Sequence, residues 1–279
     1  MLDICATLDE AKKIKYVFFD TGFEFQATKD HIDSLEEKYG IKIERHRAKK
    51  PIPSCVKEYG VPFLNKRVSD YIERLQRYDF KWEEGTFDEL YKKYPNCKAA
   101  LRWWTNSFGE GSRFNIACNR QLKEFLLENP PTFRISNKCC KYAKKASAQE
   151  CIKNSGADLN ITGVRKSEGG ARSVAYKSCF SPENSYHIAE FRPLFWFESD
   201  TKELYKNAYG ITYSDCYEWW GLKRTGCSGC PYARDINKEL EATSLYEPKL
   251  YRALNNVFGE SYEYTEAYRK FQRENKKAR

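Results

Sequence analysis

The sequence lacks any apolar run that approaches the roughly 18 residues needed by a membrane-spanning helix. Its first residues, MLDICATLDEAKKIK, carry acids early and have no basic region followed by an apolar stretch, which argues against a secretory signal peptide. No internal repeat or low-complexity linker is visible. Because 31% of the residues are charged and the mean hydropathy is −0.78, we expect a soluble protein of the cytoplasm with no membrane partner.

Histidine is scarce as well. The three histidines, His31, His46 and His187, are scattered along the chain, and none has the spacing of a metal ligand. No Ser–His–Asp arrangement and no pair of catalytic carboxylates is recognisable. The pattern therefore disfavours a histidine-based metal site, and we expect His46 to lie on the surface.

Cysteine, by contrast, is abundant, with 11 residues in the chain. A disulfide framework is not expected, because the number is odd, the chain is large and the cytoplasm is reducing. Ligation of a metal or a cluster is the better interpretation for some of them. Cys5, Cys55 and Cys118 fit buried thiols, since a free cysteine behaves as a small apolar side chain.

The bulk composition fits one large α/β domain, or a domain with a helical appendage, and it suits an anionic partner. A chain of 279 residues with 41% hydrophobic and 15% aromatic residues can bury a substantial core. The net charge of +9 suits nucleotides, nucleic acids or sulfated metabolites, and charge alone does not choose among them.

The order of apolar and polar segments predicts an α/β fold. Residues 16–19 form a short apolar run that ends in Asp20-Thr21-Gly22, which is typical of a buried parallel strand leading into a loop. Helical periodicity over 27–39 is closed by Gly40, and a second strand is predicted at 41–45. This alternation indicates a mostly parallel sheet flanked by helices. Further elements are predicted as helices at 2–15, 139–154 and 200–209 and as strands at 157–164 and 186–191.

Residues 51–138 are less regular and rich in tryptophan, tyrosine and lysine. We predict that they form a helical insertion with helices at 69–76, 87–94 and 119–128. The predicted domain organisation is one α/β domain over 1–235, which contains this insertion, followed by a helical C-terminal segment over 236–279.

Four cysteines stand out by their spacing. Cys139 and Cys140 are adjacent, and after 86 intervening residues Cys227 and Cys230 form a CxxC turn. Two such pairs supply four soft thiolate ligands, which suit zinc or an iron–sulfur cluster. Adjacent side chains project in different directions along a helix, so a cluster, in which each cysteine can bind a different iron, fits the first pair better than one small ion does. Structural zinc and unligated thiols stay open as alternatives.

These residues resemble the cluster signature of the PAPS-reductase-like branch of the adenine nucleotide α-hydrolase superfamily. Other segments resemble the family in the same order along the chain. They are the strand ending in Asp20-Thr21-Gly22, the CC-x-x-x-Lys element ending at Lys144, the Gly-x-Arg-x-x-Glu loop over Gly163, Arg165, Lys166 and Glu168 with Arg172 after it, the segment Pro193-Leu194-Phe195-Trp196, and the Gly-Cys-x-x-Cys-Pro element ending at Pro231. The resemblance covers about 16–50 and 136–235, roughly half of the chain.

The resemblance implies a Rossmann-like α/β fold, a [4Fe–4S] cluster on the four cysteines, and Lys144 beside it. It also implies an adenine nucleotide, either ATP or an adenylyl-sulfate, bound by Asp20, Thr21, Gly22, Gly163, Arg165, Lys166, Glu168 and Arg172. Basic side chains in such a loop would neutralise phosphate charge. Zinc stays the alternative to the cluster.

The sequence departs from the family pattern at both ends. The Ser-Gly-Gly-x-Asp-Ser loop that cradles phosphate in the superfamily should precede the helix leading to Asp20, but the chain begins at Met1 inside this helix. We therefore expect the first strand and the loop, on which activity would depend, to be missing from this sequence; a chain that has lost phosphate binding is the alternative. No cysteine follows Cys230, so the C-terminal nucleophile of the sulfonucleotide reductases is missing too.

Three functions follow as hypotheses. The first is an enzyme of nucleotide-linked sulfur chemistry, in which ATP activates an acceptor such as DNA or tRNA by adenylylation and sulfur is transferred with the help of the cluster. The second is an APS or PAPS reductase that uses an external thiol or an electron-donor protein. The third is a non-catalytic nucleic-acid-binding subunit, in which Trp103-Trp104 and Trp219-Trp220 stack on bases, although core packing is the simpler interpretation of both pairs.

Overall fold

The computed structural model describes residues 1–169, 175–183 and 187–277, with side chains up to residue 275. The chain divides into two compact units. The first, the sheet unit, consists of Met1–Ala48 and Lys144–Thr225, and the second, the helical unit, consists of Lys49–Ala143 and Gly226–Arg279. The predicted insertion and the C-terminal helices thus belong to the same unit, and the domain boundary predicted at residue 235 stays a prediction.

The helices follow one another as α1 (Leu2–Leu8), α2 (Gln26–Tyr39), α3 (Ile52–Tyr59), α4 (Lys66–Arg77), α5 (Phe87–Lys93), α6 (Lys98–Trp104), α7 (Leu122–Glu128), α8 (Ser147–Asn154), α9 (Ser199–Ala208), α10 (Asp215–Glu218), α11 (Ile236–Tyr246) and α12 (Pro248–Lys277). A π-helical segment, Cys140–Ala146, precedes α8. The strands are β1 (Tyr16–Asp20), β2 (Ile43–Arg47), β3 (Leu159–Ile161), β4 (Phe180–Ser181) and β5 (Ala189–Phe191).

The sheet unit contains the parallel strands that the sequence predicts. β1 pairs with β2 in parallel, from Tyr16 opposite Ile43 to Asp20 opposite Arg47. β3 pairs in parallel with β5, whose other neighbour β4 is antiparallel, so the described strands form two small sheets. The α/β class with a helical insertion and a helical C-terminus is thereby confirmed. The strands predicted at 157–164 and 186–191 are shorter than expected, and residue 186 lies outside the described residues.

Gly40 ends α2 as the sequence predicts. Its φ of 57° lies in the left-handed region, where a residue without Cβ pays no steric penalty, and its N–H donates to the carbonyl of Glu36. This sharp stop lets the chain turn directly into β2, beside β1.

The helical unit is built around a large aromatic core. The helices predicted at 69–76, 87–94 and 119–128 are confirmed as α4, α5 and α7. Trp103 and Trp104 are fully buried there, and Trp104 Nε1 donates to the Glu83 carbonyl at 3.0 Å. The hypothesis that this tryptophan pair stacks on bases is therefore wrong. In the other pair Trp219 is 75% exposed.

Among the residues the structure describes, we find no helix with both the length and the apolar character needed to cross a bilayer. The cytoplasmic location stays a prediction from the sequence.

Candidate functional site

The segment that leads to the first cysteine pair is fixed to the start of the insertion. Val61 and Ile135 form a parallel bridge, and Ser136 N donates to the Val61 carbonyl at 2.8 Å. The Asn137 side chain donates to the carbonyl of Lys66 at 2.9 Å, at the first residue of α4. These bonds place Cys139 and Cys140 beside α4 within the helical unit.

The helix that carries the first pair is not a regular α-helix. The helix predicted at 139–154 is present, but from Cys140 to Ala146 it is π-helical before α8 begins. A helix with i→i+5 bonds turns through a smaller angle at each residue than an α-helix, so neighbouring side chains diverge less. A π-helical segment inside an α-helix is often found at a functional site.

The second pair lies on a tight turn held from two sides. Cys230 N donates to the carbonyl of Cys227 at 3.3 Å, and Gly229 between them has a φ of 59°. Gly229 N donates to Glu239 Oε1 at 2.7 Å, and the Tyr262 hydroxyl donates to the Gly229 carbonyl. A Cβ on Gly229 would lie 2.7 Å from the Tyr262 oxygen, so only glycine fits between these partners.

The structure brings the two cysteine pairs together in the helical unit. A side-chain hydrogen bond with Cys140, burial, and the charges of Cys140, Cys230 and Cys227 raise the pKa of the Cys139 thiol. Burial, with added repulsion from Cys140 and Cys227, raises the pKa of Cys230 to about 12. The two cysteine pairs, which are separated by 86 residues in the sequence, are therefore electrostatic neighbours in the fold.

No cysteine of the described chain is in a disulfide. Within the same residues, no group of three or more histidine, cysteine, aspartate or glutamate side chains is arranged to hold a single metal ion. The four cysteines are thus near one another without the compact geometry of a one-ion site, in which each sulfur lies about 2.3 Å from the zinc.

Two polar residues at the cysteines were not found from the sequence. The Tyr232 hydroxyl donates to Ser69 Oγ at 2.8 Å, and burial together with the charges of Cys139, Cys140 and Cys230 raises its pKa. The Ser228 hydroxyl, inside the CxxC turn, is fully buried and has no hydrogen-bond partner. A buried hydroxyl without a partner is costly, so its position fits an acceptor that the protein chain does not supply. The one sign in the sequence that could have pointed to Ser228 and Tyr232 is that each lies within two residues of a cysteine of the CxxC turn.

Glu239 is the buried carboxyl that supports this turn, and it was also missed. It is 5% exposed, and burial raises its pKa to about 7 despite the hydrogen bond from Gly229 N. The sequence gives no sign of this burial, because Glu239 lies in a charged stretch of α11 that resembles a solvated helix face.

Glu239 should make the stability of the protein depend on pH. Its folded pKa of about 7 lies above the ordinary 4.5, so the folded protein keeps a proton that the unfolded chain releases between these values. The stabilisation is complete below pH 4.5 and is lost as the pH rises through 7, at a total cost on the order of 3 kcal/mol. We expect Glu239→Gln to flatten this part of the pH profile, measured as the free energy of urea unfolding between pH 4.5 and 8 for both proteins. A profile unchanged by the substitution would contradict the assignment.

The first predicted nucleotide segment forms a compact loop after β1 in the sheet unit. Gly22 N donates to Asp20 Oδ1 at 2.8 Å, and Lys29 Nζ lies 3.4 Å from Asp20 Oδ2. The buried Thr21 hydroxyl donates to Glu24 Oε1 at 2.6 Å. Burial raises the pKa of Glu24, and the charge of Lys144 acts against this rise. Lys144, predicted to lie beside the cluster, is thus an electrostatic neighbour of Glu24, and its role at the cluster stays a prediction.

The second predicted nucleotide segment follows β3. Arg165 N donates to Glu168 Oε1 at 3.3 Å, and Arg165 Nη1 is buried without a hydrogen-bond partner. Lys166 Nζ lies 4.9 Å from the centre of the Trp196 ring. Gly163 lies in the loop between β3 and these residues, and Arg172 is outside the described residues. The two segments follow strands of different sheets, and their common role at a nucleotide stays a prediction.

Comparison with known proteins gives limited similarity. No family model matches the chain. Over 79 residues, or 28% of the chain, it is 38% identical to an uncharacterized protein of Methanocaldococcus jannaschii, and it spans 16% of the length of that relative. A crystal structure of phosphoadenylyl-sulfate (PAPS) reductase from Candida auris, in complex with phosphate, is similar at a TM-score of 0.42 with 16% identity, covering 81% of this chain and 73% of that one.

Proposed function

We propose that the chain is an iron–sulfur protein of nucleotide-linked sulfur chemistry, related to the PAPS reductases, in which Cys139, Cys140, Cys227 and Cys230 hold a [4Fe–4S] cluster. The observation that carries this proposal is the meeting of two distant cysteine pairs in the helical unit, where Cys139 is buried and the other three thiols are partly buried.

The electrostatics of the four thiols support a bound cationic group. The charges of the neighbouring cysteines raise the pKa of the Cys139 and Cys230 thiols, so four thiolates would repel one another strongly without a positive charge among them. Metal ions deprotonate coordinating thiols and offset this charge. The unpartnered hydroxyl of Ser228 could then donate to a sulfur of the bound group.

The adjacency of Cys139 and Cys140 favours a cluster over zinc. A cluster distributes its cysteine ligands over several irons, whereas one zinc ion requires a compact tetrahedron, which adjacent side chains of one helix complete only with strain. When bound, the cluster would supply redox-active iron for electron or sulfur transfer.

The remaining part of the proposal concerns an adenine nucleotide, ATP or an adenylyl-sulfate. Asp20, Thr21 and Gly22 would line the adenosine pocket, and Gly163 with the loop up to Glu168 and Arg172 would contact the phosphates. Arg165 and Lys166 would offset the charge that develops in adenylyl transfer. The buried, unpartnered guanidinium nitrogen of Arg165 supports this role, since phosphate oxygens are strong acceptors for it.

The cluster is tested by anaerobic purification followed by assays of iron, acid-labile sulfide and zinc. We expect about four irons and four sulfides per chain and a broad visible absorption that bleaches on oxidation. A colourless protein that carries one zinc per chain would overturn the cluster, and a metal-free protein would overturn both forms of the site.

Two other functions are separated by activity. A reductase that uses an external thiol or an electron-donor protein would release sulfite from an adenylyl-sulfate. The sulfur-transfer enzyme would instead consume ATP in the presence of its acceptor, a nucleic acid in our proposal. A non-catalytic nucleic-acid-binding subunit would do neither. Assays with each nucleotide and the iron-loaded protein distinguish the three.

A further inference from the structure

Three arginines of α4 share one exposed face of the helical unit. Arg67, Arg74 and Arg77 are all exposed. Arg74 and Arg77 follow Arg67 by seven and ten residues, spacings that return to the same side of an α-helix. At a rise of 1.5 Å per residue, the row is about 15 Å long.

At one end the row borders a polar cleft of about 300 Å³. Its lining includes four cationic side chains, Arg74, Arg77, Lys138 and Lys141, and two carboxylates, Asp70 and Glu73. Glu73 is shared by Arg77, at 2.5 Å, and Lys138, at 2.8 Å. The cleft therefore keeps a net positive charge. Lys138 and Lys141 flank the cysteine pair in the sequence, so this charge lies next to the proposed cluster site.

At the Arg67 end of the row, the aromatic ring of Phe114 lies close to two arginines. The Arg67 guanidinium carbon is 4.5 Å from the centre of the Phe114 ring, and that of Arg113 is 5.2 Å from it. Arg67 Nη1 also donates to the Arg113 carbonyl at 2.6 Å, which fixes the two residues together. Phe114 is 40% exposed, and neither arginine forms an ion pair with a carboxylate of the described chain.

We propose that this surface, formed by Arg67, Arg74, Arg77, Lys138, Lys141 and Phe114, binds a single-stranded polynucleotide. A row of cations about 15 Å long matches three or four successive phosphates, and exposed rings and guanidinium planes stack on unpaired bases. An acidic peptide would pair with the cationic side chains but would offer no base to stack on Phe114. In a duplex the bases are paired and stacked on one another, so they would not be free to stack on Phe114.

This inference deepens the proposed function by giving its nucleic-acid acceptor a binding surface. It rests on that function only for the role of the strand as acceptor, because none of the six residues is a proposed cluster ligand. The hydrogen bond from Asn137 to the Lys66 carbonyl joins the start of α4 to the segment that enters the cysteine pair. If the proposed sulfur chemistry is correct, the bound strand is its acceptor. If the cluster is absent, the surface should bind all the same.

The test is fluorescence anisotropy with labelled oligo-U RNA and oligo-dT of about 20 nucleotides, longer than a typical single-strand site. Binding of either strand should weaken with salt at a log–log slope of about −2 to −3. Arg67→Ala/Arg74→Ala should make this slope about 1.4 shallower, because two phosphate contacts are lost. Lys249→Ala/Arg252→Ala removes the same charge from exposed positions of α12 and should leave the slope unchanged.

Phe114 separates stacking from charge. We expect Phe114→Leu to weaken binding on the order of tenfold without changing the salt slope, and Phe114→Trp to restore binding. Iron content and far-ultraviolet circular dichroism should match the wild type in every variant. Equal losses in the α12 control, tighter binding of a blunt duplex, or competition by polyglutamate as strong as by oligonucleotide would each overturn the proposal.

Discussion

Replacing Cys230 with alanine should leave the protein almost free of iron and acid-labile sulfide and should lower its thermal midpoint by many degrees. Cys230 is a partly buried thiol whose pKa is raised by the charges of Cys140 and Cys227 as well as by burial. Loss of one ligand of a buried cluster exposes iron to solvent and removes binding energy that exists only in the folded protein. Iron, sulfide and visible absorption of the anaerobically purified variant measure the first effect, and calorimetry measures the second.

Cys97→Ala is the matched control for this experiment. Cys97 is buried in the same unit and its thiol donates to the Arg74 carbonyl at 3.5 Å, but burial raises its pKa without any contribution from another cysteine. We expect this variant to retain its full iron content and to lose only the modest stability of one small buried side chain. Retention of iron by Cys230→Ala, or an equal loss in Cys97→Ala, would contradict the assignment of the ligands.

Trp104→Ala should destabilise the protein by about 3–5 kcal/mol, the usual cost of deleting a buried aromatic side chain. Trp104 is fully buried, packs edge-on against Phe80 and Trp82, and donates its indole N–H to the Glu83 carbonyl. The substitution leaves a large cavity and removes the partner of that carbonyl, so both effects have the same sign. Urea unfolding followed by circular dichroism gives the free energy of unfolding.

Trp219→Ala provides the comparison, because the Trp219 side chain is 75% exposed. We expect it to change the free energy of unfolding by less than about 0.5 kcal/mol, as for other surface substitutions. If the two tryptophan variants proved equally stable, the aromatic core around α4, α6 and α7 would be misassigned.

Local sequence signals were reliable where one short segment holds all of the information. The apolar run before Asp20 predicted β1, and Gly40 predicted the end of α2, because a buried strand and a left-handed cap each depend on a few adjacent residues. The helices of the insertion were placed well for the same reason, since the 3.6-residue periodicity of α4 is visible without its partners.

Burial of individual side chains was harder to predict. Trp103-Trp104 and Trp219-Trp220 are both adjacent tryptophan pairs, yet the first pair is fully buried and Trp219 is largely exposed. The two dipeptides are identical in sequence, so their difference in exposure is decided by the elements that pack around each of them. Phe114, the ring that we propose to stack on bases, lies in a loop whose sequence has no periodicity from which its exposure could be predicted.

The sequence by itself determined the α/β class, the succession of helices and strands and the two cysteine pairs, because each rests on residue types at short spacings. The tertiary structure alone decided that the two cysteine pairs meet and that the Ser228 hydroxyl is buried inside the CxxC turn without a partner. It also decided that Tyr232 and Glu239 lie beside this turn and that cations line the cleft next to α4. The reason is that burial, pKa and charge density arise from residues distant in sequence, which only the folded chain brings within a few ångströms of one another.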